Sequence, residues 1–225
     1  MDDVDAALDV AHRCALEWLQ SLPERGVPAR MTAEEVKAAL GVELPEGPRP
    51  AAEVIEHLAA VAEPGLAAMP SGRWFGMVIG GTHPAGLAAD WLTSAWDQNS
   101  ALRAVTPTTV ALEDIVDRWL LELLGLPADC GVGLVTGATM SLWTCLATAR
   151  DEMLRRAGWD VRTAGLAGSP GLRVLVGAHR HETVDLALRY LGLGRPEPVA
   201  ADEQGRIDVA ALEKALATGS QRPTI

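Results

Sequence analysis

The alternation of apolar and polar positions predicts helices over most of residues 1–125. Ala6, Ala7, Val10, Cys14, Leu16, Trp18 and Leu19 form a helical stripe between Asp2 and Leu22, ahead of Pro23. A second helix is expected to open at Thr32, where TAEE spells a capping box, and to stop at Gly41. The Pro-rich connector 44–50 leads into a third helix at about 50–62. The glycine-rich and aromatic stretch GRWFGMVIGGTHPAG, 72–86, is expected to be a loop with an extended segment. Two more helical stretches fall near 86–98 and 109–125.

After Gly125 the rhythm changes. Strand-like runs are expected at 131–136, 172–177, 197–200 and in the closing PTI, with helices at 139–157, 182–191 and 208–217 between them. Strands alternating with helices predict an α/β fold, a parallel sheet covered by helices. No internal repeat or low-complexity tract interrupts the pattern.

Composition changes this picture little. The chain is 225 residues long, 48% hydrophobic and 22% charged, values expected of a soluble protein with a sizeable core. A formal net charge of −11 disfavours a nucleic-acid backbone or an anionic membrane as partner. Cys14, Cys130 and Cys145 lie far apart, which suggests neither a zinc site nor a disulfide framework. No apolar run approaches the ~20 residues a spanning helix needs, and the acidic N-terminus is unlike a signal peptide, so a cytoplasmic location is expected.

Two turns carry candidate chemistry. In GLVTGATM a strand-like run meets Gly137, and Ala138 and Thr139 open a helix. Free first-turn amides and the helix dipole favour an anion there, and the Thr139 hydroxyl can add a hydrogen bond. The same turn also serves as ordinary capping. It has neither the GK[ST] of a nucleotide-binding loop nor the GxGxxG fingerprint. In LRVLVGAHRHETV the geometry repeats, with His181 opening a helix after the strand. His181 could stack on a flat heteroaromatic ring, accept a hydrogen bond, or simply cap its helix. His12, His57 and His83 read as ordinary helix or loop residues.

In order along the chain, WFGMVIGG, LAADWLTSAWDQNSA, EDIVDRWLLELLGLP, GLVTGATM, ATAR, LRVLVGAHRHETVDLALRYLGLG and DEQGRID resemble the pyridoxal-dependent decarboxylases, the group containing glutamate and aromatic amino-acid decarboxylases. The likeness runs from about residue 70 to the end. It implies a type I pyridoxal-phosphate enzyme fold like that of aspartate aminotransferase, truncated within its large domain. Residues 1–70 would be helices embracing a second subunit, and 71–225 an incomplete cofactor-binding domain.

The resemblance also implies roles. Ala138 and Thr139 would bind the phosphate of pyridoxal 5'-phosphate (PLP), and His181 would stack on its ring as the catalytic histidine. Ile79 and Gly80 would lie on the substrate side. The substrate would be an amino acid, and the complete protein a homodimer. Leu142 stands where many members have asparagine. The family's Schiff-base lysine and ring-nitrogen aspartate have no counterpart in family context here. The only lysines are Lys37 and Lys214, both expected on the surface. An isolated chain of this sequence would therefore be inactive. Other pyridoxal enzymes of the same broad fold, a non-catalytic protein that binds PLP or pairs with full-length subunits, and a nucleotide-binding sheet protein are the rival readings.

Overall fold

The computed structural model describes residues 2–77, 79–218 and 222–225. The chain divides into two compact units, Met1–Gln98 and Asn99–Ile225.

The first unit is helical. Helix α1 (Asp2–Ser21) packs against α3 (Ala51–Ala62), and α2 (Ala33–Leu40) also packs on α3. Thr32 starts α2 with the expected capping box: its hydroxyl accepts the Glu35 amide at 3.2 Å, and the Glu35 carboxylate accepts the Thr32 amide at 2.7 Å. The Thr32 amide first, and then the Thr32 hydroxyl, which donates to the same carboxylate at 3.0 Å, hold the Glu35 carboxyl below the ordinary glutamate range. Gly41 ends the helix with φ +82°, a backbone few other residues adopt cheaply.

Arginines tie down the connector after α1. Arg25 lies 3.7 Å over the Trp18 ring and pairs with Glu63, which also accepts Arg30 at 2.5 Å. Arg73 donates to the Leu22 and Arg25 carbonyls. Helix α4 (Pro84–Trp96) begins at His83, and its Trp91 meets His12 of α1 edge to face. The segment 72–83 contains turns and no strand among its described residues; Val78, within the stretch read as loop, lies outside them.

The second unit opens with α5 (Pro107–Leu124), closed by Gly125 at φ +64°. Helix α6 (Ala138–Arg156), the short α7 (Val161–Ala164), strand β1 (Leu175–Gly177), helix α8 (Glu182–Tyr190), strand β2 (Glu197–Val199) and helix α9 (Val209–Ala217) follow. Strands β1 and β2 pair in parallel, with Leu175 opposite Glu197 and Gly177 opposite Val199. On the other edge of the β1 segment, Arg173 bridges Thr224 in parallel, and Leu175 donates to the Ile225 carbonyl at 2.8 Å. The 172–177 run is thus the centre of the sheet, and PTI is its neighbour.

Arg173 fastens this centre. Its guanidinium forks onto the Glu197 carboxylate at 3.0 and 2.7 Å and reaches the Ala215 carbonyl of α9 at 3.1 Å. Pairing with Arg173 holds Glu197 below, and Arg173 above, their ordinary pKa values.

The expected strand at 131–136 does not form. A strand exists through its ladder, and among the described residues no segment pairs with this one. Leu134 is 56% exposed, and Val135 is exposed as well. The core is also smaller than composition implies. Among the described residues most of its buried apolar members lie on or beside α6, β1, α8 and β2: Leu154 on α6, Val174 just before β1, Ala187 and Leu188 on α8, Leu191 just after α8, and Val199 on β2. Helices α4 and α5 leave Trp96, Leu112, Trp119, Leu123 and Leu124 open. The chain exposes 16661 Å², against about 12,000 Å² for two free-standing domains of these masses.

Candidate functional site

The start of α6 is where the first candidate turn lies. Gly137 is the N-cap residue, with extended backbone (φ 160°, ψ 170°) and no side-chain cap bond. A Cβ added there would meet nothing within 4 Å. Ala138 is exposed and Thr139 half-buried. Only the fourth amide of this end is claimed within the backbone, Ser141 donating to the Gly137 carbonyl at 3.0 Å. Helices α2, α8 and α9 each start with a side chain accepting a first-turn amide, whereas α3 and α5, which start at prolines, share with α6 the lack of a side-chain bond from the N-cap residue. At α6 the donors stand free beside small side chains. That donor set suits a phosphate dianion, which needs several N–H groups and close backbone approach.

His181 starts α8. The parallel ladder carries the chain through β1, Ala178 donates to the Val199 carbonyl at 2.9 Å, and a turn closed by Arg180 onto Gly177 delivers His181. Arg180 forks onto Asp185 at 2.9 and 3.0 Å, fixing the turn to the new helix. The His181 Nδ1 accepts the Thr183 amide at 3.2 Å and lies 2.9 Å from the Thr183 hydroxyl. The ring is exposed, so a flat group can reach it.

Helix α6 packs on α8, and Arg150 of α6 reaches the Leu191 carbonyl at the end of α8. Ala138, Thr139 and His181 therefore belong to one unit, on two helices fastened by the same core. Ile79 and Gly80 belong to the other unit. Ile79 is 64% exposed, and Gly80 backs onto Met69, whose Cβ would lie 3.1 Å from an added Cβ. Thr183 escaped the sequence reading; a hydroxyl residue two positions after a helix-opening histidine was the signal that could have found it.

A model of the pyridoxal-dependent decarboxylase conserved domain matches residues 33–225. The chain belongs to that family. Among curated proteins, this family member is 26% identical over 184 residues to phenylacetaldehyde synthase of a Rosa hybrid cultivar, covering 79% of the chain and 35% of the relative. Among solved structures it resembles mouse CSAD, with TM-score 0.85 and 22% identity over 100% of the chain. It also resembles Oryza sativa TDC with PLP and tryptamine, with TM-score 0.84 and 21% identity over 96% of the chain. It spans 48% and 46% of those two chains, about half their length. The small parallel sheet with flanking helices is thus the fold of these decarboxylases over about half of it.

Both lysines of this family member are exposed, Lys37 on α2 and Lys214 in the last turn of α9. Among the described residues no group of histidine, cysteine and carboxylate side chains is arranged to hold a metal ion. None of their helices is long and apolar enough to cross a membrane.

Proposed function

We propose that this chain is the phosphate- and ring-holding portion of a PLP-dependent amino-acid decarboxylase with a type I fold, of whose solved relatives it spans about half the length. The observation that carries the reading is the uncapped start of α6, seated in a family-matched segment and fastened through α6–α8 packing to the helix that His181 opens. The amides of the first turn and the Thr139 hydroxyl hold the cofactor phosphate. The exposed His181 ring covers one face of the pyridine and keeps water from it. When bound, PLP supplies the electron sink that accepts the pair left as CO2 departs. Ile79 and Gly80 contact the amino acid. Residues 1–70 embrace a second copy, and 71–225 form the cofactor domain.

Neither lysine lies in a turn of the candidate site: Lys37 is in the other unit and Lys214 is in the last turn of α9. The isolated chain therefore holds PLP without turnover. The same observation favours a second reading, a non-catalytic protein that binds PLP weakly or pairs with full-length subunits.

Titrating PLP into the full chain, followed by cofactor absorbance and by CO2 release from amino acids, tests both readings. A hydroxyl bonded to a charged group contributes about 1.5–3 kcal/mol, so Thr139→Ala should weaken PLP binding by roughly 10- to 150-fold. In a full-length decarboxylase carrying this segment, His181→Ala should mainly lower turnover. If both variants kept the parent's affinity and rate, the site assignment would be wrong. Turnover by the isolated chain would overturn the claim of inactivity.

A further inference from the structure

We infer that Thr183 is a positioning residue for His181: it fixes which nitrogen of the imidazole carries the proton. The backbone N–H of Thr183 can only donate, and it points at Nδ1 from 3.2 Å. Nδ1 must therefore present its lone pair and carries no hydrogen. The Thr183 hydroxyl, 2.9 Å from the same nitrogen, then has one compatible orientation, with its own O–H turned toward Nδ1. Two donors converge on one acceptor, and the neutral ring must carry its proton on Nε2.

His83 provides an internal comparison. It opens α4 with nearly the same backbone, φ −73° and ψ 142° against −72° and 146° for His181, and its Nδ1 likewise accepts the amide two residues on, at 3.2 Å. The residue there is Ala85, which has no hydroxyl. In hydrogen bonding at this position the two histidines differ by that one O–H. His181 is held by two donors and His83 by one.

The consequence for chemistry rests on the cofactor reading above, whereas the tautomer itself does not. A ring held in this way offers a donor at Nε2 and no free base at Nδ1. In a PLP site it can hydrogen-bond an acceptor such as a substrate carboxylate, and it cannot turn over to present a lone pair without breaking the start of α8.

Long-range ¹H–¹⁵N correlation spectra of the uniformly ¹⁵N-labelled full chain test this at about two pH units above the ordinary histidine pKa, where an ordinary imidazole is neutral. His181→Asn identifies the His181 signals. The expected result is an Nε2–H pattern at His181, with Nδ1 as the unprotonated nitrogen. In Thr183→Val the tautomer ratio should fall about fivefold, the worth of one neutral hydrogen bond. Thr183→Ser should restore it, and the His83 signals should stay fixed throughout. An Nδ1–H pattern in the parent overturns the inference even if the valine variant fails to fold. A ratio unmoved between parent and Thr183→Val also overturns it. Adding PLP to the same sample separates the two readings: unshifted His181 signals count against the cofactor site and leave the tautomer result standing.

Discussion

Leu188 is fully buried on α8, and with Leu154 of α6 it is one of the two largest such side chains. Its truncation tests whether the α6–α8 core holds the candidate site as one body. Full burial of a leucine contributes about 1.5–3 kcal/mol, and the cavity left behind raises the cost of Leu→Ala to about 2–5 kcal/mol. Many residues around this thin core are only half-buried and can relax into the space, so Leu188→Ala should cost about 2.5–3.5 kcal/mol. With a urea dependence of about 2 kcal/mol per molar, the unfolding midpoint should drop by roughly 1–2 M. The control is Tyr190→Ala two residues on, 69% exposed, where the change should stay within about 0.5 kcal/mol. Hydrogen exchange read by mass spectrometry then locates the loss. Protection should fall together in α6 and α8 and stay unchanged in α1 and α3. A cost under about 1 kcal/mol, or a loss confined to α8, would refute the claim that these two helices stand on one core.

Two further outcomes follow from local structure. Thr32→Ala removes the capping hydroxyl of α2 and should cost about 1 kcal/mol, seen as lower exchange protection in residues 33–40. Glu152, at the end of α6, accepts side-chain hydrogen bonds from Arg155 and Arg156, which lower its pKa from 4.5 to about 2. A depressed carboxylate pKa adds stability above the ordinary value and loses it as pH falls through the folded one. The thermal midpoint of the parent should therefore exceed that of Glu152→Gln at pH values above 4.5, and the gap should close between pH 4.5 and about 2. Equal midpoints at neutral pH would dismiss the interaction.

The helices were legible because their signals are local. The Thr32 box, the Gly41 stop and the periodic stripes place α1 to α3 within a residue or two of where the structure has them. The same holds for α6, α8 and α9. The sheet was legible only in part. The runs at 172–177 and 197–200 pair with each other, and PTI reaches the other edge, but 131–136 carries the same β-branched and apolar pattern without a partner among the described residues. A strand's existence depends on residues far away in sequence, which its own residues do not encode. The cradle at Ala138 and Thr139 was visible as a glycine followed by small residues. So was the lack of a side-chain cap from the N-cap residue, since Gly137 has no side chain to accept an amide. The bond from Thr183 to His181 was hidden because it depends on side-chain rotamers, although the spacing that permits it was in plain sight.

The two exposed lysines have a practical use. Lys37 lies in the unit ending at Gln98 and Lys214 in the unit beginning at Asn99. Every other basic side chain of this arginine-rich sequence is a guanidinium or an imidazole, neither of which competes for amine-directed reagents. The α-amino group, with a pKa near 8 against about 10.4 for lysine, can be capped first near neutral pH. The chain thus carries one ready attachment point on each unit, without an engineered cysteine. A distance between spin labels or a dye pair on those two amines would read the arrangement of the units directly, and would show whether adding PLP or a second subunit changes it.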